Sequence, residues 1–294
     1  MDNVITVKNM RESDAYTINT SVSGRELMKR AAGGVFRSVA WHGKIAVVCG
    51  SGNNGGDGYA LAEILSERGF RPIVLRIGEK LSEDGEYYYN RCLMNNVEMS
   101  FCSGATDFSE YDMIVDCILG TGFSGSLSPE LQGLIESINR SRAFKVSVDI
   151  NSGLSGANGM ALPVAVRSDL TVSIGYFKTG MFLGQSSSYI GALVNVDIGI
   201  KLLKKQYYLI DSDELSPFIG YNTVSLTAES FAREYALDEK EFWRSPIKAV
   251  SKESVDSGRI FAVSFGDSKL IVDQTYIYFC CDRVLSASEK YSEF

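Results

Sequence analysis

The chain has 294 residues, enough for two domains or one large one. Hydrophobic residues at 45% and charged residues at 22% fit a soluble globular protein with a sizeable core, which excludes a disordered chain. A net charge of −7 argues against a broad nucleic-acid or anionic-membrane surface.

No apolar stretch approaches the roughly 18 residues of a membrane-spanning helix. The start, MDNVITVKNMRESD, lacks the basic-then-apolar pattern of a secretory signal. Ser23 and Glu26 have capping-box spacing ahead of Met28, Ala31, Ala32, Val35, Phe36 and Val39, which predicts an amphipathic helix. Asn9 and Glu12 suggest a shorter helix before it. His42, the single histidine, reads as a surface or packing residue and excludes a multi-histidine metal site. KIAVVC (44–49) is a β-branched apolar run suited to a strand buried on both faces. A glycine-rich loop follows, then a helix from Tyr59 to Arg68 ending at Gly69. Further strands are expected at PIVLRI (72–77), VEMSF (97–101), DMIVDCIL (112–119), FKVSVDI (144–150) and DLTVSIG (169–175). A helix capped by Ser128, with Pro129 at its first position, lies between the last two but one. Cysteines 49, 92, 102, 117, 280 and 281 show no C-x-x-C pair; without an export signal they read as reduced thiols of a cytoplasmic protein.

Strands alternating with helices imply a Rossmann-like α/β fold, a doubly wound, mainly parallel sheet in three α/β/α layers. In such sheets ligands bind beyond the carboxyl ends of the strands. After the first buried strand, Gly50 to Gly58 holds five glycines in nine positions, and its amides with a helix N-terminus near Asp57 form an anion cradle. It contains G-x-G-x-x-G, but the acid that a dinucleotide dehydrogenase needs about 20 residues on is missing: the next strand ends at Arg76-Ile77-Gly78. Asp116 stands in an apolar run, where a carboxylate needs a cation or several donors. Gly120, Gly122 and Gly125 make a second loop after it, and Asp149 ends a further strand.

GNNGGDGY (52–59), DCILGTGFSG (116–125), VDINSGL (148–154), GYFKTG (175–180) and VDIGI (196–200), in that order, resemble the YjeF N-terminal domain family, the NAD(P)H-hydrate epimerases, over roughly residues 8 to 200. The resemblance implies interconversion of the R and S hydrates of NADH and NADPH, with these hydrates as substrates rather than cofactors. It also implies a homodimer, one potassium ion per subunit, and a separate NAD(P)H-hydrate dehydratase as functional partner. Carried over by motif, Asn53, Asn54, Gly55, Gly56 and Asp57 would bind substrate, with Gly120, Thr121, Gly122, Phe123, Ser124, Gly125 and Ser126 as the second loop. Asp149 would contact the altered ring and act as the catalytic group. Asn54, Asp116 and Ser152 would hold potassium, a set of hard oxygen donors that suits such a cation. This chain has Asn151 and Thr179 where the family usually has proline, and 155–159 lacks an acid often found there.

Only three of the 28 glycines lie beyond residue 200. That step predicts a first domain at 1–203 and a small α+β appendage at 204–294, too short for the dehydratase domain that many family members carry. TAESFAREYALDEKEFW (227–243) reads as a helix, and 259–265 with 269–281 as a β-hairpin or small sheet around Gly266-Asp267. The leading reading is an epimerase. The alternatives are a non-catalytic binding or scaffold module and an NADP-dependent oxidoreductase resting on Gly50, Gly52, Gly55 and Arg76. Asn54, Asp116, Asp149 and Ser152 together favour the enzyme.

Overall fold

The computed structural model describes residues 2–123 and 125–204, with the backbone of four further strands at 207–211, 260–265, 268–273 and 276–280. In chain order the elements are β1 (Asp2–Ile5), α1 (Val7–Thr20), α2 (Gly24–Ser38), β2 (Ile45–Cys49), α3 (Asn53–Glu67), β3 (Ile73–Arg76) and α4 (Glu83–Met94). Then come β4 (Glu98–Phe101), β5 (Met113–Cys117), α5 (Pro129–Arg140), β6 (Phe144–Val148), β7 (Ser168–Ile174), β8 (Phe177–Lys178) and β9 (Ile190–Val196). The last four are β10 (Tyr207–Asp211), β11 (Ile260–Phe265), β12 (Ser268–Asp273) and β13 (Tyr276–Cys280).

Seven strands form one sheet in the order β4-β3-β2-β5-β6-β7-β9. Every pair in it is parallel. The Rossmann-like architecture expected from the sequence is therefore present. β2 is buried throughout: Ile45, Val47 and Cys49 pack with α2, α3 and α4, and Ala46 and Val48 pack on the other face with Leu134, Ile135 and Ile138 of α5. Strand order reverses between β2 and β5, so the chain leaves these neighbours towards opposite edges of the sheet. That switch point is where a doubly wound sheet opens a crevice at its carboxyl ends.

The Ser23 and Ser128 caps are both made, each hydroxyl accepting from the amide three residues on. The first helix is longer than expected and starts at Val7, because Thr6 rather than Asn9 caps it. α3 starts at Asn53, not near Asp57 or Tyr59: NNGGD is its first turn, and the loop proper is only Gly50-Ser51-Gly52. The glycines there serve packing. A Cβ on Gly55 would meet the Gly50 carbonyl oxygen at 2.0 Å, and one on Gly56 would meet Met28 and then Gly85, where α3 crosses α2 and α4. β1, α4 and β9 carry weak sequence signals. α4 buries only Gly85, Tyr88 and Cys92, and β9 is mostly half-exposed.

β1 and β8 belong instead to a second sheet, in the order β11-β12-β13-β10-β1-β8. β11 and β12 pair antiparallel, and the run expected as a single strand at 269–281 divides into β12 and β13, which also pair antiparallel, giving the small-sheet form of that expectation; the helix expected at 227–243 and Cys281 lie outside the described residues. Cys49, Cys92, Cys102 and Cys117 are buried free thiols. Among the described residues no helix is long and apolar enough to cross a membrane.

The β2–β5 crevice depends on close backbone approach at Gly50, where a Cβ would lie 1.9 Å from the Ile118 carbonyl oxygen. Gly50→Ala must push the two loops apart, an overpacking cost of about 1–3 kcal/mol. Thermal unfolding is expected to show a Tm several degrees lower; an unchanged Tm would mean that the loops yield freely.

Candidate functional site

A cavity of about 660 Å³ occupies the switch point, within the usual range for small-molecule sites. Its floor and walls come from the loop after β2 (Gly50 to Asn54), Asp57 of α3, the loop after β5 (Ile118 to Phe123), Asp149, and one side of α1. Gly52 caps α3 without a side-chain hydrogen bond, and the start of that helix borders the cavity, the kind of helix terminus that binds anions.

Asp149 follows β6 with φ +68°, a left-handed conformation that non-glycine residues seldom adopt. Lys178 Nζ donates to Asp149 Oδ1 at 2.5 Å, and the Thr121 amide donates to Oδ2 at 3.0 Å. Lys178 is fully buried; its ammonium also donates to Ser173 Oγ at 3.2 Å and to the Ile174 carbonyl at 2.9 Å. β8 carries it, fixed by parallel pairing with β1 in which Ile5 lies opposite Lys178. The carboxylate is thus aimed into the cavity with a buried counter-charge behind it. No role for Lys178 follows from the sequence motif that contains it. The available signal was a lysine between an apolar strand and a glycine.

Asp116 lies on β5, wholly buried, with its side chain on the α5 side of the sheet and off the cavity wall. Burial raises its pKa, and hydrogen bonds oppose that shift. Oδ2 accepts from Ser147 Oγ at 2.9 Å and the Ser152 amide at 2.8 Å; Oδ1 accepts from Ser152 Oγ at 2.5 Å and the Ile118 amide at 3.2 Å. The donors demanded by its apolar run are therefore supplied by the protein. Ser152 Oγ also accepts from the Leu119 amide at 2.8 Å, which ties the loop after β6 to the loop after β5.

Asn54 is buried, and neither atom of its side-chain amide has a hydrogen-bond partner. It stands close to Asp149, since a Cβ on Gly120 would lie 3.3 Å from Asn54 Cβ and 3.0 Å from Asp149 Oδ2. Asn53, Asn54, Asp57, Gly120, Thr121, Gly122, Phe123 and Asp149 thus meet in one cavity. Gly55 and Gly56 are buried in helix packing, Gly125 and Ser126 are exposed beyond the cavity wall, and Ser124 lies outside the described residues. Arg11 Nη2 clamps the second loop through the carbonyls of Thr121 and Gly122, both at 3.1 Å.

Arg76 does not line the cavity. Its guanidinium sits over the Tyr89 and Phe101 rings and donates to the Glu79 carbonyl, so the cation on which an oxidoreductase reading rests is committed elsewhere. Asn151, where a proline was expected, donates to the Val166 and Tyr189 carbonyls and Ser168 Oγ, and accepts from Thr171 Oγ1. Thr179 likewise donates to the Ala157 carbonyl. Among the described residues no group of three or more His, Cys, Asp or Glu side chains could hold a metal ion.

The sequence matches the family described as YjeF-related protein N-terminus over residues 24–180. It is 32% identical over 201 residues to a Limosilactobacillus fermentum protein named NAD(P)H-hydrate epimerase, covering 67% of this chain and 97% of that one. A protein of the same name from Oenococcus oeni is 34% identical over 204 residues, covering 67% and 96%. The crystal structure of yeast ynu0 aligns with a TM-score of 0.55 at 22% identity, covering 65% of this chain and 86% of that one, a likeness of fold.

Burial, then the charges of Asp149 and Asp14, push the Asp57 carboxyl well above its ordinary range. The folded state therefore holds this proton more tightly than the unfolded chain. Ionising Asp57 costs stability as pH rises from about 4 through the folded value. Asp57→Asn is expected to raise Tm at pH 8 relative to the parent protein, with the gain vanishing towards pH 4. A Tm at pH 8 that is unchanged or lower would overturn this assignment of strain.

Proposed function

Because the chain belongs to the YjeF-related protein N-terminus family, we propose that it is an NAD(P)H-hydrate epimerase, an isomerase acting on the hydroxylated nicotinamide ring of damaged NADH and NADPH. The observation that carries this reading is Asp149: a carboxylate in a left-handed conformation, held by Lys178 and the Thr121 amide, and directed into a cavity between two backbone-rich loops. The helix terminus at the start of α3 suits the anionic phosphates of a dinucleotide.

The hydroxylated carbon adjoins the ring nitrogen, whose lone pair stabilises the cation left when the hydroxyl departs as water. Water returning to the opposite face inverts the centre. Asp149 is placed to give a proton to the departing hydroxyl or to accept one from incoming water, as general acid–base catalysis requires. Lys178, donating to Oδ1, keeps the carboxylate oriented.

Potassium belongs to this reading through Asn54, whose buried amide oxygen has no partner and suits a hard cation. Asp116 and Ser152 already bond to each other and to neighbouring amides, so they would reach the ion only by giving up one of those bonds. Bound beside Asn54, the cation would order the start of α3. Replacing potassium with tetramethylammonium is expected to lower both activity and Tm; equal values in the two salts would remove the ion from the reading.

The deciding experiment supplies the R hydrate together with a separate dehydratase that consumes only the S form. Complete consumption dependent on this protein supports epimerisation, and a stall at the R form sinks it. Asp149→Asn is expected to keep KM near that of the parent while kcat falls about 10²–10⁴-fold. Near-full turnover would remove Asp149 from the mechanism.

A further inference from the structure

α1 presents Met10, Asp14 and Ile18, spaced i, i+4 and i+8, along the wall of the cavity. Two of these are apolar and the middle one is an acid. A carboxylate on such a wall costs free energy unless something engages it. Asp14 makes no hydrogen bond or ion pair with any described residue. Arg11, beside it, donates to the Thr121 and Gly122 carbonyls instead. Of the other carboxylates around the cavity, Asp84 pairs with Arg25 at 3.2 Å and Asp149 pairs with Lys178 at 2.5 Å, while Asp57 sits in the first turn of α3, on the phosphate-binding side of the site rather than on the α1 wall. Burial, then the charge of Asp149, raise the pKa of Asp14, with Lys178 opposing. Asn54, only 7% exposed, adds a second unengaged polar group on the same cavity. Asp14 is set to meet a bound molecule.

We propose that Asp14 is a second catalytic carboxyl group, serving from α1 the ring face opposite the one that Asp149 serves. This rests on the epimerase reading above. In one direction the Asp14 carboxyl gives its proton to the hydroxyl, the C–O bond breaks, and water leaves. The ring-nitrogen lone pair becomes the second bond of a C=N iminium. A water on the other face then adds to that carbon as its proton passes to the Asp149 carboxylate. The net result is inversion, exchange of one oxygen with solvent, and one proton moved from Asp14 to Asp149. The reverse reaction starts from that second protonation state and restores the first. A single carboxylate cannot reach both faces of a ring held in place, whereas walls supplied by α1 and by the end of β6 can.

The test follows inversion and isotope together in ¹⁸O water, with chiral separation, mass spectrometry and a protein-free control. The parent protein should incorporate one labelled oxygen per inversion. Asp14→Asn should slow inversion about 10²–10⁴-fold. It should still exchange oxygen, with retained configuration, in the one epimer whose hydroxyl faces Asp149. Asp14→Leu, which completes the apolar stripe and so retains the fold, should behave the same way, and Asp14→Glu should recover part of the inversion. Three results overturn the proposal: inversion by Asp14→Asn at the parent rate, equal loss of exchange in both epimers, or inversion by the parent protein without label. Absence of any inversion by the parent protein above the control would overturn the epimerase reading itself.

Discussion

The carboxylate of Asp116 is the constraint on which the rest of the site depends. It lies fully buried on the second of the two strands flanking the switch point. It collects donors from the neighbouring strand (Ser147), from its own following turn (the Ile118 amide) and from the loop after β6 (Ser152). A buried charge satisfied from three segments at once tolerates little displacement of any of them, since losing one partner leaves part of the desolvation penalty exposed. Ser152 extends the constraint by accepting the Leu119 amide. Both loops that frame the cavity are thereby fixed to one group that does not itself face the cavity.

A second division of labour runs through the glycines. Read as a string, Gly50 to Gly58 is one phosphate-binding loop. In the fold the run splits. Gly50 allows backbone contact across the crevice, Gly55 lets the first turn of α3 close on Gly50, and Gly56 lets three helices meet, while only Gly50 to Asn54 and Asp57 face the cavity. Composition marks where glycine is concentrated but does not separate the glycine that a ligand needs from the one that a neighbouring helix needs.

The same distinction explains what was legible beforehand. The buried strands were readable because β2 and β5 are continuous β-branched or apolar runs, and the Ser23 and Ser128 caps because capping is local. α3 was placed too late because Asn and Gly are poor helix formers in isolation; here tight packing holds them in the first turn. β9 shows little pattern because it is half-exposed, and β1, though Val4 and Ile5 are buried, is too short at four residues to show one. Of the site, the acids at strand ends were visible. Lys178 was not, since its role arises only when β8 pairs with β1 and turns its ammonium towards Asp149. Asp14 was also hidden, as an acid in a helix normally marks a solvated face. The donors that satisfy Asp116 come from residues 147 and 152, which no local rule connects to it.

Asn151 and Thr179 stand where the family resemblance implies proline, and the two solutions differ in kind. Proline narrows the conformations open to the unfolded chain, so its contribution persists when surrounding contacts loosen. Asn151 instead depends on groups that must all be present together: the Val166 and Tyr189 carbonyls and the hydroxyls of Ser168 and Thr171. Once one of these moves, the remaining bonds distort, and the loop after β6 opens as a unit with the start of β7 and the approach to β9. In this chain the segment bearing Asp149 is therefore held by a cooperative latch, closed or released as a whole, where a proline would act as a fixed hinge stop.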